Sequence, residues 1–429
     1  MAEASSTGAA STGALDGIRV LDLTTEMGQY AGKLLADLGA DVIKVEPPGG
    51  DGARGVGPFA HDKISRESSL SWWYFNTNKR SVTCNLDEHD GQHVFRQLAR
   101  GVDLILESYD TGYMDGRGVG FDALRADNPQ VIYVSITGFG LEGPHAGWRA
   151  TDIVGLAASG VLTMSGDGED PPQTLGGNQG YITASLAAAQ GATLAIFHKE
   201  RTGQGQLVEV SMQEALSIAQ ETAMQQWDFQ KTSRERQGEV VRVPGIGTYK
   251  TKDGYVYSMV GAPAGASLSV MIDWLAEHGA AGELAGEHED EYRALNWATL
   301  GAALADPAKM EALLKLFPAA QKTLSEFFAS RSSLEIYEEG QKRRLLIGMV
   351  STPQDLVESR QLTAREWMVP VEQAGETIDL PGPPYRLSAT PVQYRRPAPS
   401  IGEHNVEVWV DEVGIPADDL TVYVGEGAI

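Results

Sequence analysis

Over the first half of the chain, short apolar runs alternate with apolar positions at helical spacing. Ile18 to Leu23 is a β-rich run, after which Met27, Ala31, Leu34, Leu35 and Leu38 recur along one helix face. Gly39 follows as a helix-ending glycine. Asp41 to Val45 is a second strand before a Pro-Pro-Gly-Gly turn. A helix around Val94, Phe95 and Leu98 leads to a strand over Val102 to Leu106, and a short helix near Phe121 to Ala126 leads to Val131 to Ile136. This order predicts an α/β fold whose parallel sheet is covered on both faces. An Ala-rich helix from about Tyr181 to Lys199 comes next, followed by a strand over Gln206 to Ser211 and a helix from about Gln213. Polar composition from Lys231 to Gly238 marks a linker. A strand-turn-strand from Thr248 to Tyr257 opens a second unit, with helical segments from about Ser267 to Phe327. The tail from about Pro381 is Pro-rich and reads as irregular.

The length of 429 residues fits two domains better than one core. Acidic residues outnumber basic ones by 58 to 34, a formal charge of −24. A field of that sign repels nucleic acid and anionic membranes, so neither is an expected partner. An anionic ligand would need a local basic patch. Cys84 is the sole cysteine, which excludes an internal disulfide and suits a reducing cytoplasm, the expected location. In its strand-like setting Cys84 reads as a buried structural thiol. Met1 to Ala14 has neither a basic nor an apolar region, so a disordered tail is expected there and not a signal peptide. With no run of 18 apolar residues, no membrane span is expected.

Several chemistries lack their residues. The first turn, Thr24 to Gly32, does not carry the glycine spacing of a dinucleotide-binding loop, and no phosphate-binding P-loop or nucleophile elbow is present. The eight histidines are scattered; His89 and His93 read as solvated, as does the acidic run Glu287 to Glu291. No metal site is expected.

Six stretches in order resemble the family III CoA-transferases: Leu15 to Leu23; Gly39 to Asp51 with Arg54 after it; Asn76-Thr77-Asn78-Lys79-Arg80-Ser81; Asn128-Pro129 with Tyr133 to Gly140 and Gly143-Pro144; Arg201 to Gln206; and Pro397 to His404. The resemblance implies a Rossmann-like large domain built from both chain ends, a small inserted domain, and an interlocked-ring dimer. On that plan residues 1–14 are a tail, 15–230 the first part of the large domain, 231–245 a linker, 246–345 the small domain, and 346–429 the return linker with the rest of the large domain. It also implies a coenzyme A thioester as substrate, with no permanently bound cofactor. Arg54, Asn78, Lys79, Arg80, Gly138, Phe139 and Gly140 fall in the matching loops and are the implied CoA-binding residues. Arg grips phosphate at two points and Lys acts as a point charge. The alternative for Lys79 and Arg80 is a structural salt bridge.

The family's reaction needs a carboxylate. It attacks the thioester, expels the CoA thiolate and forms a mixed anhydride; the thiolate returns to give an enzyme–CoA thioester, and the acceptor acid is activated by the reverse steps. In the family this aspartate stands in a Gly-Asp turn ahead of the Ala-rich helix. Here that turn reads Leu175-Gly176-Gly177-Asn178-Gln179-Gly180-Tyr181, and the position near Gly180, within two residues, is vacant of any acid. No catalytic residue is therefore assigned. Asp167, Glu169 and Asp170 come too early. Asp110 stands where a cation is common in the family's CoA-contacting stretch, and a negative group beside a phosphate opposes binding. The related racemases' acid/base pair is missing too, since Thr151 precedes Asp152 where a His would be. The resemblance thus implies the aspartate-less subunit of a heteromeric enzyme, a heterodimer or heterotetramer whose paralogous partner carries the aspartate. Succinyl-CoA as donor and (R)-benzylsuccinate, from anaerobic toluene degradation, as acceptor are the implied substrates. The alternatives are an acyl-CoA lyase or isomerase using Asp152 or Glu26, and an acyl-CoA-binding pseudoenzyme. The aromatic run Trp72 to Phe75 reads as core, or as a wall for an aromatic acid.

Overall fold

The computed structural model describes residues 13–236, 243–260 and 266–429. Most of the expected tail (to residue 12) and the middle of the expected linker (237–242) lie outside the described residues. The chain divides into two units. One takes in the described residues of Met1–Ser165 together with Pro172–Glu235 and Ala364–Ile429; the other takes in Gly166–Pro171 and the described residues of Arg236–Thr363.

The first unit is built on β1 (Arg19–Leu23), α1 (Gln29–Asp37), β2 (Asp41–Glu46), α2 (Leu70–Phe75), β3 (Arg80–Thr83), α3 (His89–Ala99), β4 (Leu104–Glu107), α4 (Phe121–Asp127), β5 (Ile132–Thr137), α5 (Asp152–Ala158), α6 (Gln179–Thr202), β6 (Leu207–Ser211), α7 (Met212–Ser217) and α8 (Ala223–Gln230). Its six strands are parallel, in the order β3-β2-β1-β4-β5-β6. Side chains alternate between two cores, as strand geometry requires. Val20, Val42, Leu104, Leu106, Val134 and Ile136 meet residues of α1 and α6 on one face. Leu21, Ile43, Val45, Val82, Ile105 and Tyr133 meet α3, α4 and the C-terminal Val408 and Trp409 on the other. Strands buried on both faces need continuous apolar runs, which is what the sequence supplies. The strand order reverses between β1 and β4, and in such sheets the crevice at the carboxyl ends of the strands flanking the reversal is where ligands bind.

Helix α6 lies on β5, β6 and α1 through small residues, with Ala184, Ala188, Ala192 and Ala195 buried. Among the described residues it is the one helix long and apolar enough to cross a membrane by length and composition. Its inner face belongs to the core of this unit, and Leu186, Leu194 and Phe197 are exposed on it.

In the second unit, β7 (Ile246–Lys250), β8 (Tyr255–Met259) and β9 (Ile347–Met349) form an antiparallel sheet. Its core joins Tyr249, Val256 and Ile347 to α9 (Leu268–Glu277), α10 (Glu289–Arg293), α11 (Trp297–Leu304), α12 (Pro307–Ala329) and α13 (Ser333–Lys342). The first unit also contains a hairpin, β10 (Met368–Gln373) with β11 (Glu376–Pro381). It lies in a segment the sequence marks only as a return linker. Residues 382–405 carry no regular element, but Ala417–Gly425 is helical, where an irregular tail was expected.

Candidate functional site

Charged residues interrupt the apolar runs of β1 and β2, and the fold buries them against each other. Asp22 on β1 is fully buried. Lys79 Nζ donates to Asp22 Oδ2 at 2.7 Å, to the Gln29 carbonyl at 2.9 Å and to Asn76 Oδ1 at 2.9 Å, which uses all three of its hydrogens. Lys44 Nζ lies 3.2 Å from Asp51 and 3.7 Å from Asp22, and also donates to the Thr24 carbonyl. Burial pushes the Lys79 ammonium down to about 8, and attraction to Asp22 offsets only part of that.

Arg54 grips Glu46 at two points, Nε to Oε2 at 2.7 Å and Nη2 to Oε1 at 2.8 Å. Its other donors reach the Pro399 carbonyl (2.9 Å), Glu67 (3.0 Å) and the Arg66 carbonyl (3.4 Å), and its plane lies 3.9 Å from the Trp72 ring centroid. Trp72 and Trp73 are buried, which gives at least half of the aromatic run a core role. Arg80 pairs with Asp41 (2.6 Å), Glu412 (2.6 Å) and Glu407 (2.8 Å). Asn78 donates to Asp37 at 2.7 Å and accepts from the Arg395 and Arg396 amides. The stretch Asn76 to Ser81 therefore fastens β1, α1 and the returning C-terminal segment together. Arg54, Lys79 and Arg80 are buried in these ion pairs and face inward. Sequence reading singled out these three cations but not their anions, Asp22, Glu46 and Asp41. The signal was available: a charged residue inside Val-Leu-Asp-Leu and Val-Ile-Lys-Val-Glu has to find a buried partner.

The segments after β1, β4 and β5 line the crevice. Thr25 N donates to Ser108 Oγ at 2.9 Å, clipping its two sides together. Glu107 ends β4; burial raises its carboxyl to about 7, while it accepts from the Tyr109 amide at 2.8 Å. Glu26 is half-buried and also shifted up, first by burial and then by repulsion from Asp51 and Asp152. After β5, Gly138 passes so close to Ala150 that an added Cβ would come within 2.2 Å of the Ala150 Cβ. Gly140 has φ +92° and its amide donates to Thr137 Oγ1 at 2.8 Å. Phe139 packs edge-on against His145 (5.8 Å) and Trp148 (6.2 Å), which stack at 3.8 Å. Asp110 is exposed, 3.6 Å from exposed Arg149.

The turn from Leu175 to Tyr181 leads into α6 beside α5. Asn178 precedes α6, whose first residues are Gln179, Gly180 and Tyr181. Asp152 Oδ1 accepts from the Tyr181 amide at 3.0 Å, and a Cβ built on Gly180 would come within 2.9 Å of the same oxygen. Asp152 is thus the cap of α6. Asp167 and Asp170 belong to the second unit, where Arg236 donates to their carbonyls at 3.0 and 2.9 Å. Cys84 lies just past β3, its thiol pushed up to about 12 by burial. His89 and His93 are exposed on α3, and among the described residues no three His, Cys, Asp or Glu side chains are grouped to hold a metal.

A doubly wound α/β unit with its crevice at the carboxyl ends of β1, β4 and β5 defines the class. Within it, the chain belongs to CoA-transferase family III, whose model matches residues 15–405. Members of this family act on coenzyme A thioesters and carry no permanent cofactor. The chain is 34% identical to the succinyl-CoA:(R)-benzylsuccinate CoA-transferase subunit BbsE of Thauera aromatica, over 96% of this chain and 97% of that one. It is 31% identical to the formyl-CoA:oxalate CoA-transferase of Streptomyces avermitilis, over 97% of this chain and all of that one. Among solved structures, a CaiB/BaiF family protein from Brucella suis matches with a TM-score of 0.77 and 26% identity, covering 93% of this chain and 99% of that one.

Proposed function

We propose that this chain is the non-catalytic subunit of a heteromeric CoA-transferase, and that a paralogous chain supplies the aspartate. One observation carries the reading: the turn into α6 holds Asn178, Gln179, Gly180 and Tyr181, with no carboxylate to attack a thioester. The nearest acid in the first unit, Asp152, already accepts the Tyr181 amide. A Gly180 side chain would have to press on that carboxylate. Burial of Arg54, Lys79 and Arg80 in ion pairs supports a shaping role for them in the crevice, with Asn78. Gly138, Phe139 and Gly140 would form its open rim, where an acyl-CoA held by the pair would pass.

Succinyl-CoA as donor and (R)-benzylsuccinate as acceptor, as in anaerobic toluene degradation, are the substrates we favour on the likeness to the Thauera subunit. The likeness to a formyl-CoA:oxalate enzyme makes oxalate the competing acceptor to assay. A second reading has an observation of its own. Glu26, shifted up by burial and by two neighbouring carboxylates, is suited to hold a proton, as a lyase or isomerase acting alone would need.

The test is to produce the chain alone and together with an aspartate-bearing family III chain, and to measure CoA transfer and native mass for each. Activity confined to the pair is the expected result. Transfer catalysed by this chain alone would sink the proposal, and conversion of an acyl-CoA by the chain alone without an acceptor acid would favour the second reading.

A further inference from the structure

In the second unit, α10, α11 and α12 surround a cavity of about 420 Å3. That is ample for a small molecule, whose sites commonly measure about 300–1,000 Å3. Its apolar wall is Ala302 and Ala303 of α11 with Ala312, Leu313 and Leu316 of α12. Its polar mouth is His288, Glu291, Thr299 and Lys309. Three of those four are engaged: His288 Nδ1 lies 3.4 Å from Glu291 Oε1, and Thr299 Oγ1 completes a cap with Asn296 at the start of α11. Lys309 is different. Its side chain is 70% exposed and its ion pair, to Asp306, is long at 3.5 Å. That pair occupies only one of the three ammonium hydrogens, so the others are available to an incoming anion.

We propose that this cavity binds a small apolar carboxylate, an aryl or branched aliphatic acid. Its hydrocarbon part would lie on Ala303, Ala312 and Leu316 and its carboxylate would meet Lys309. Among the described residues, none from the first unit's crevice lines this cavity. The inference stands apart from the question of which chain carries the transferase aspartate.

The experiment is calorimetric titration of the full chain with benzoate and with 4-methylpentanoate, each compared with its neutral amide. Saturable binding of the acids is expected, about threefold tighter than the amides, the size of one exposed charge contact. Lys309→Gln should weaken the acids about threefold and leave the amides unchanged. Ala312→Phe fills the space and should abolish binding of both. If that variant does not fold, Lys309→Gln still decides, since it replaces only an exposed side chain. Equal affinity for acid and amide, acid affinity unmoved by Lys309→Gln, or no saturable binding at tens of millimolar would each overturn the proposal.

Discussion

Replacing Lys79 with methionine removes one of the two ammonium groups facing the fully buried Asp22 carboxylate. Removing one partner of a buried ion pair costs about 3–5 kcal/mol, and Lys44 with Thr24 offsets part of that here. Lys79→Met should therefore lower the urea midpoint strongly, and adding Asp22→Asn should recover much of the loss. Glu107 gives a pH-dependent counterpart. Its carboxyl is raised to about 7 from an ordinary 4.5, so the folded chain binds the proton more tightly than the unfolded chain. That contribution is complete below pH 4.5 and is lost as pH rises through 7. Glu107→Gln should remove it, with the stability of wild type relative to the variant falling by about 3 kcal/mol between those pH values. Urea melts at a series of pH values measure this, and parallel curves for the two proteins would refute it. Both residues show where sequence reading stops. Asn76 to Ser81 is legible as a motif, but nothing local says that Lys79 turns toward Asp22 or that Arg80 pairs with Glu412, more than three hundred residues along the chain.

At the scale of elements, α6 illustrates how a long helix is started. It has no capping side chain of its own at Asn178. The first turn instead uses Asp152 from α5, whose carboxylate takes the Tyr181 amide and adds negative charge at the positive end of the helix. Asp152→Ala should cost about 1–2 kcal/mol and Asp152→Asn much less, read from thermal or urea midpoints. If alanine were neutral, the acid would need another role, and Asp152 would return as a candidate for proton transfer. The same scale separates legible from hidden elements. Strands β1, β2, β4 and β5 stand out because burial on both faces demands runs of Val, Leu and Ile. The hairpin β10–β11 does not. Its turn is Ala374-Gly375, with both residues at positive φ, and lacks the Asn-Gly or Asp-Gly sign of such turns. Pro370 inside β10 further masks the strand pattern. Strand β9 is three residues long, too short for any periodicity to register.

For the whole molecule, order along the chain identified the family, because six separated motifs keep their sequence and their order. Strand order in the sheet and the pairing of charges were not readable, since both depend on contacts between distant segments. The first unit leaves Leu194 and Phe197 exposed on α6, Ile218 just after α7, and Met224, Trp227 and Phe229 on α8. Exposed large apolar side chains in that number suit burial by another chain, and the proposed heteromer provides one. The proposal also has a stoichiometric consequence. The family's cycle passes through an enzyme–CoA thioester on an aspartate, and borohydride reduces that thioester to an alcohol while releasing the thiol. If only the partner carries the aspartate, saturating acyl-CoA with borohydride should inactivate the pair after one modification per two chains, with every modified peptide coming from the partner. Replacing the partner's aspartate with alanine should abolish both the labelling and the transfer. Gly180→Asp in this chain should not restore them, because the new side chain would crowd the Asp152 carboxylate 2.9 Å from its Cβ and two acids so placed resist ionising together. A modified peptide drawn from residues 13–236 of this chain would show that it supplies a nucleophile after all, and the division of labour between the two subunits would have to be abandoned.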